Sequence, residues 1–132
     1  MISRKRYCKT LQLKNDPNLI DEYKQLHARG NVWPEITEGL KKVGVLDMEI
    51  YISGTTLFMI MDTVDGFDHD AAMTQLGTLT RQGEWEALVS RFQKTMPGSS
   101  AKEKWQLVER IFKLDQENEE SPENGYLEKI SD

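Results

Sequence analysis

The sequence predicts one α+β domain whose elements run βαββαβ, an antiparallel sheet carrying its helices on one face. Three observations lead there. Residues 4–13 and 46–53 alternate apolar and polar side chains, and 57–61 form a short apolar run. Gly54-Thr55 falls between the second and third of these segments, which joins them as a hairpin. Two proline-led helix starts, Asp16-Pro17 and Trp33-Pro34, stand between the first and second strands.

Taken in order, the first strand alternates imperfectly and closes in Leu11-Gln12-Leu13. Asp16 can accept backbone N–H bonds at the first free turn, and Pro17 loses no hydrogen bond at the first helical position. Leu19, Ile20, Tyr23, Leu26 and His27 then recur at helical spacing. Past Trp33-Pro34, the residues Ile36, Leu40 and Val43 repeat the pattern, and Gly44 suits a helix stop. In the second strand Leu46, Met48, Ile50 and Ile52 are expected inward, and Asp47, Glu49, Tyr51 and Ser53 outward. Residues 68–79 and 84–94 read as helices broken apart by Gly83, the latter built on Trp85, Leu88, Val89 and Phe92. Residues 97–100 are a loop, and 105–114 are expected to close the sheet as its last strand. Such a sheet leaves its second face bare, and covering it with another copy of the chain favours an isologous dimer.

Bulk properties narrow the function classes. A chain of 132 residues makes one domain that buries roughly two-thirds of its unfolded surface without staples. The formal net charge of −5 provides no broad basic surface, so nucleic acid is not an expected partner. The short cluster Arg4, Lys5, Arg6 does not change that. Cys8 is the sole cysteine, which excludes an internal disulfide and fits a reducing cytoplasm. No apolar run reaches the length of a membrane span. Residues 115–132 hold seven acids and one lysine, a composition that cannot offset the entropy of ordering, so a flexible acidic tail is expected beyond a single domain of residues 1–114.

For chemistry, the informative stretch is Glu22-Tyr23 to His27, followed by Trp33-Pro34-Glu35. A phenol and an imidazole four residues apart stack on one helical face. Imidazole exchanges protons near neutral pH. With Arg4-Lys5-Arg6-Tyr7 and Gln12 before them, and Gly44, Ile50-Tyr51, Leu57-Phe58, Trp85, Met96-Pro97 and Val108 to Leu114 after them, these residues give the chain its likeness: over most of 4–114 it resembles the L-rhamnose mutarotase family. The resemblance implies a ferredoxin-like domain paired into a dimeric α/β barrel. It also implies cofactor-independent exchange of the α and β anomers of a deoxyhexose.

By that resemblance His27 matches the catalytic proton-transfer residue, and Tyr23 matches a tyrosine that contacts the sugar. The plainer alternatives are a histidine satisfied on its helix face and a half-buried core aromatic. Trp85 matches one of two adjacent tryptophans in relatives; here its neighbours are Glu84 and Glu86. Glu84 is the expected replacement, a carboxylate that accepts bonds from sugar hydroxyls. Met48 stands where relatives carry a second tyrosine. Both departures leave L-rhamnose, L-fucose and other deoxyhexoses as competing monosaccharide substrates. Gln12 is a weaker pocket candidate, and Trp33 is expected to staple the second helix.

Exchange of anomers requires a proton on the ring oxygen and removal of one from the anomeric hydroxyl, so no metal or nucleotide is demanded. Asp68-His69-Asp70 does not read as a metal site, because successive helical residues diverge by about 100°. The methionines of the apolar runs read as core. Two other classes stay open: a redox enzyme on the same barrel scaffold, and a sugar-binding module without catalysis.

Overall fold

The fold is seen in a computed structural model that describes residues 4–96 and 98–115. The acidic tail expected after Leu114 lies outside the described residues apart from Asp115. The element order is β1 (Arg4–Gln12), α1 (Pro17–Leu26), α2 (Pro34–Lys42), β2 (Val45–Ser53), β3 (Thr56–Val64), α3 (His69–Leu76), α4 (Gln82–Ser90), α5 (Ala101–Lys104) and β4 (Gln106–Val108). The strands pair in the order β2-β3-β1-β4, each contact antiparallel. This is the expected α+β ferredoxin-like arrangement.

Local chemistry sets the elements that carry the site. Asp16 caps α1 by accepting from the Asn18 and Leu19 N–H groups at 2.9 and 3.3 Å, with Pro17 next. Helix α2 ends at Gly44, whose φ of +111° favours glycine and lets the chain turn directly into β2. On β1 the inward phase is Lys5, Tyr7, Lys9 and Leu11; on β3 it includes Leu57, Met59 and Met61. Tyr7, Met59, Met61, Phe67, Met73 and Leu76 form one part of the core, and Leu11, Tyr23, Ile36, Trp85, Val89 and Phe92 the other.

Three expectations are corrected. Leu46 is 42 % exposed rather than inward, because the β2–β3 register slips between Val45 and Asp47 and gives the inward place to Val45. The helix break lies not at Gly83 but over residues 77–81, where Arg81 adopts a left-handed φ of +64°. Gly83 sits in the first turn of α4, where the N–H groups have no intrahelical partner to lose. The last strand is three residues instead of ten, and Trp105 ends α5. Beyond it, Ile111, Phe112 and Leu114 are 78, 68 and 86 % exposed. The Arg4-Lys5-Arg6 cluster is spent on internal contacts: Arg6 grips Asp62 through both carboxylate oxygens at 2.7 and 3.0 Å, and Lys5 Nζ donates to the Phe67 carbonyl at 2.9 Å.

Candidate functional site

His27 stands one residue past the end of α1, as its C-cap. Its backbone N–H still reaches the Tyr23 and Lys24 carbonyls at 3.3 and 3.2 Å, so the ring keeps the helical phase and rests on Tyr23 with centroids 4.3 Å apart. Nδ1 lies 2.9 Å from the Tyr23 carbonyl oxygen. A carbonyl only accepts, so Nδ1 carries the hydrogen and Nε2 of the neutral ring holds a lone pair. Burial pulls the His27 pKa below its ordinary value, against an opposing pull from that carbonyl, which favours the neutral ring near pH 7.

Tyr23 is buried on the same wall. Desolvation pushes its pKa up to about 12, although the Gln93 amide, donating to its oxygen at 3.4 Å, works the other way. The phenol therefore keeps its proton as a donor. Gln93 is itself buried, and its Oε1 has no partner among the described residues. It is a second acceptor on this wall.

Helix α4 turns Gln82, Trp85, Glu86 and Val89 inward at helical spacing. The Trp85 ring meets His27 edge-on at 5.6 Å and Trp33 at 5.2 Å. Trp33 is clamped from its other side by the Arg81 guanidinium, 3.9 Å from the ring centre, in keeping with its expected stapling role. Glu86 is bonded twice: Lys104 Nζ donates to Oε1 at 2.9 Å and Gln82 donates to Oε2 at 2.7 Å.

These groups line a cavity of about 430 Å³ between the helical layer and the sheet. That size is ordinary for a small-ligand pocket. Met48, Ile50, Met59 and Lys9 supply its sheet side. The structure thus brings together four of the residues picked from sequence, His27, Tyr23, Trp85 and Met48. Glu84 is not among them: its side chain is 67 % exposed and pairs with Arg81 at 3.2 Å. The α4 carboxylate at the cavity is Glu86, and β2 adds Asp47. Gln12 lies away from it as well, taking hydroxyl bonds from Thr55 and Thr56 at the hairpin.

Sequence reasoning also passed over Lys9, Gln82 and Gln93. A signal existed for Lys9, which sits at an inward position of β1 between Tyr7 and Leu11. As for metals, no cluster of three or more His, Cys, Asp or Glu side chains is present among the described residues. Asp68, His69 and Asp70 do not converge on one point: Asp68 caps α3 at Ala71, while His69 Nδ1 pairs with Asp70 at 3.1 Å. No helix among the described residues is long and apolar enough to cross a membrane.

Comparison with known proteins bears on the family and the fold. Residues 6–114 match the profile of the L-rhamnose mutarotase family. An L-fucose mutarotase from Xanthomonas campestris is 39% identical over 113 residues, covering 86% of this chain and 90% of its own. A UPF0734 protein of Dictyostelium discoideum is 35% identical over 115 residues, with 84% and 90% covered. The crystal structure of an L-rhamnose mutarotase from Formosa agariphila superposes with a TM-score of 0.60 at 21% identity, over 84% of this chain and 99% of that one, and so supports the fold. With the profile spanning nearly the whole folded region and a relative well above 30% identity, the chain belongs to the L-rhamnose mutarotase family, a family of carbohydrate isomerases.

Proposed function

We propose that this protein is a mutarotase of 6-deoxyhexoses, with L-fucose ahead of L-rhamnose, and that His27 is its proton-transfer residue. The observation that carries the reading is an imidazole, oriented through Nδ1 by the Tyr23 carbonyl, that lines a sugar-sized cavity. The ranking of sugars rests on the L-fucose mutarotase relative and on Met48, an apolar side chain where a tyrosine would offer L-rhamnose a hydroxyl.

His27 Nε2 takes the proton of the anomeric hydroxyl as the ring carbon–oxygen bond opens and the ring oxygen takes up a proton, and both transfers reverse after the aldehyde has turned its other face. Tyr23 and Gln93 supply a donor and an acceptor for the sugar hydroxyls, and the Trp85 ring packs against the sugar's C–H surface. The barrier to remove is modest, because the reaction also proceeds in water. One well-placed acid/base group, worth about 10²- to 10⁴-fold, is enough.

Saturation-transfer NMR on equilibrated sugars tests the substrate. Exchange between the two anomeric protons is expected to quicken on adding protein, more for L-fucose than for L-rhamnose. If neither sugar responds, a binding role without catalysis takes its place. The pH profile should carry an acid limb: because burial lowers the His27 pKa, the neutral base persists somewhat below pH ~6.5, the ordinary histidine value, and the rate falls only on further acidification. An acid limb above that value contradicts the assignment.

The same reading includes a homodimer. Phe58 and Tyr51 are register partners on the outer sheet face and are 41 and 53 % exposed, and Ile111, Phe112 and Leu114 are exposed as well. Covering them removes a large apolar area from water. Sedimentation velocity should give twice the monomer mass for the wild type and a monomer for Phe58→Lys; a monomeric wild type contradicts this arrangement.

A further inference from the structure

The inward phase of β1 carries two lysines, and they are treated differently. Lys5 Nζ is held by the Phe67 carbonyl. Lys9 lines the cavity, is 3 % exposed, and has the Met73 sulfur as its hydrogen-bond partner, at 3.7 Å. A thioether is a weak acceptor for one of three ammonium hydrogens. A cation in such surroundings is costly unless something polar meets it.

The neighbouring charges are committed elsewhere. Asp70 of α3 is exposed and turned to His69, with Lys102 close by. Glu86 of α4 is taken by Lys104 of α5 and by Gln82. Lys41 of α2 and Asp47 of β2 complete the charged lining, and Tyr23 keeps its proton. Beside the Tyr23 hydroxyl and the Gln93 amide oxygen, the cavity thus offers a ligand a donor on the sheet, Lys9, and a basic side chain in the helical layer, His27.

We propose that Lys9 is the second proton-transfer group of the site, giving its proton to the sugar's ring oxygen while His27 accepts the proton of the anomeric hydroxyl. This rests on the mutarotase reading above. In the forward step the O–H bond to the anomeric oxygen breaks and its proton goes to Nε2; the freed electron pair forms the aldehyde C=O. The bond from the anomeric carbon to the ring oxygen breaks with its electrons, and that oxygen takes a proton from Nζ. After rotation about the adjacent carbon–carbon bond, the reverse steps close the ring on the other face and restore both residues. No co-reactant is consumed.

The protonation states suit these roles. Burial brings the Lys9 pKa down to about 8, with Asp70 opposing, and burial also lowers that of His27. Near neutral pH the lysine is thus an acid and the histidine a base.

Lys9→Met tests the proposal, since methionine keeps an unbranched stem of similar size. Anomer exchange should fall by about 10²-fold, the alkaline limb near pH 8 should vanish, and the melting temperature should rise because a poorly partnered charge is gone. Wild-type exchange in this variant, or survival of the alkaline limb, overturns the proposal and leaves the mutarotase reading intact. Wild-type protein that accelerates neither sugar brings down both. Should Lys9→Met show no cooperative melting, Lys9→Arg decides: the guanidinium does not titrate, so loss of the limb supports the role and its persistence refutes it.

Discussion

Replacing His27 by asparagine lowers catalysed anomer exchange by about 10²- to 10⁴-fold while the fold persists. Asparagine places an amide N–H near the position of Nδ1 and can still donate to the Tyr23 carbonyl, which the ring nitrogen approaches to 2.9 Å. It has no basic nitrogen where Nε2 stood. The polar contact that ends α1 is thus kept and only the proton acceptor is lost. The rate constant for exchange should collapse, and the thermal transition should move by no more than a few degrees. A variant that unfolds would point to packing against Tyr23 and Trp85 as the main duty of His27. A variant that stays folded and fully active would remove His27 from the chemistry.

The largest expected effect on stability lies at Glu86. The Lys104 side chain is fully buried and that of Glu86 is 13 % exposed, with Nζ bonded to Oε1 at 2.9 Å and to the Glu86 carbonyl at 2.8 Å. Glu86→Ala leaves an ammonium sealed from water with the backbone carbonyl of residue 86 as its remaining partner among the described residues, and frees the Gln82 amide as well. Breaking one side of such a buried pair costs about 3–5 kcal/mol, which corresponds to a drop of about 10–20 °C in melting temperature for a domain of this size. Lys104→Met should cost less, because Glu86 keeps the Gln82 bond and some access to water. The double variant Glu86→Leu/Lys104→Met should regain much of the loss, as an apolar pair of similar volume often does. Chemical denaturation of the three variants measures this. A loss below about 1 kcal/mol for Glu86→Ala would place the pair in the weak, solvent-screened class.

Much of the frame was legible in local chemistry. Asp16-Pro17 and Trp33-Pro34 mark helix starts because a cap and a proline satisfy requirements internal to a few residues. The Tyr23–His27 spacing foretold their stacking, even though His27 stands just outside the helix. Features decided between distant segments were not legible. The register slip that exposes Leu46 depends on how β2 meets β3. Helical phase puts Glu84 and Glu86 about 100° to either side of Trp85, and what separates them is Lys104, eighteen residues further on, which reaches Glu86. Lys9 escaped notice because a lysine on a strand reads as solvent-facing, whereas the phase set by Tyr7 and Leu11 turns it inward.

Saturation transfer between the anomeric protons of L-fucose, with wild-type protein and with His27→Asn at equal concentration and neutral pH, tests the account most directly. The wild type should transfer saturation far faster than buffer, and the variant should be close to buffer. Equal acceleration by both proteins would contradict a catalytic imidazole in this cavity.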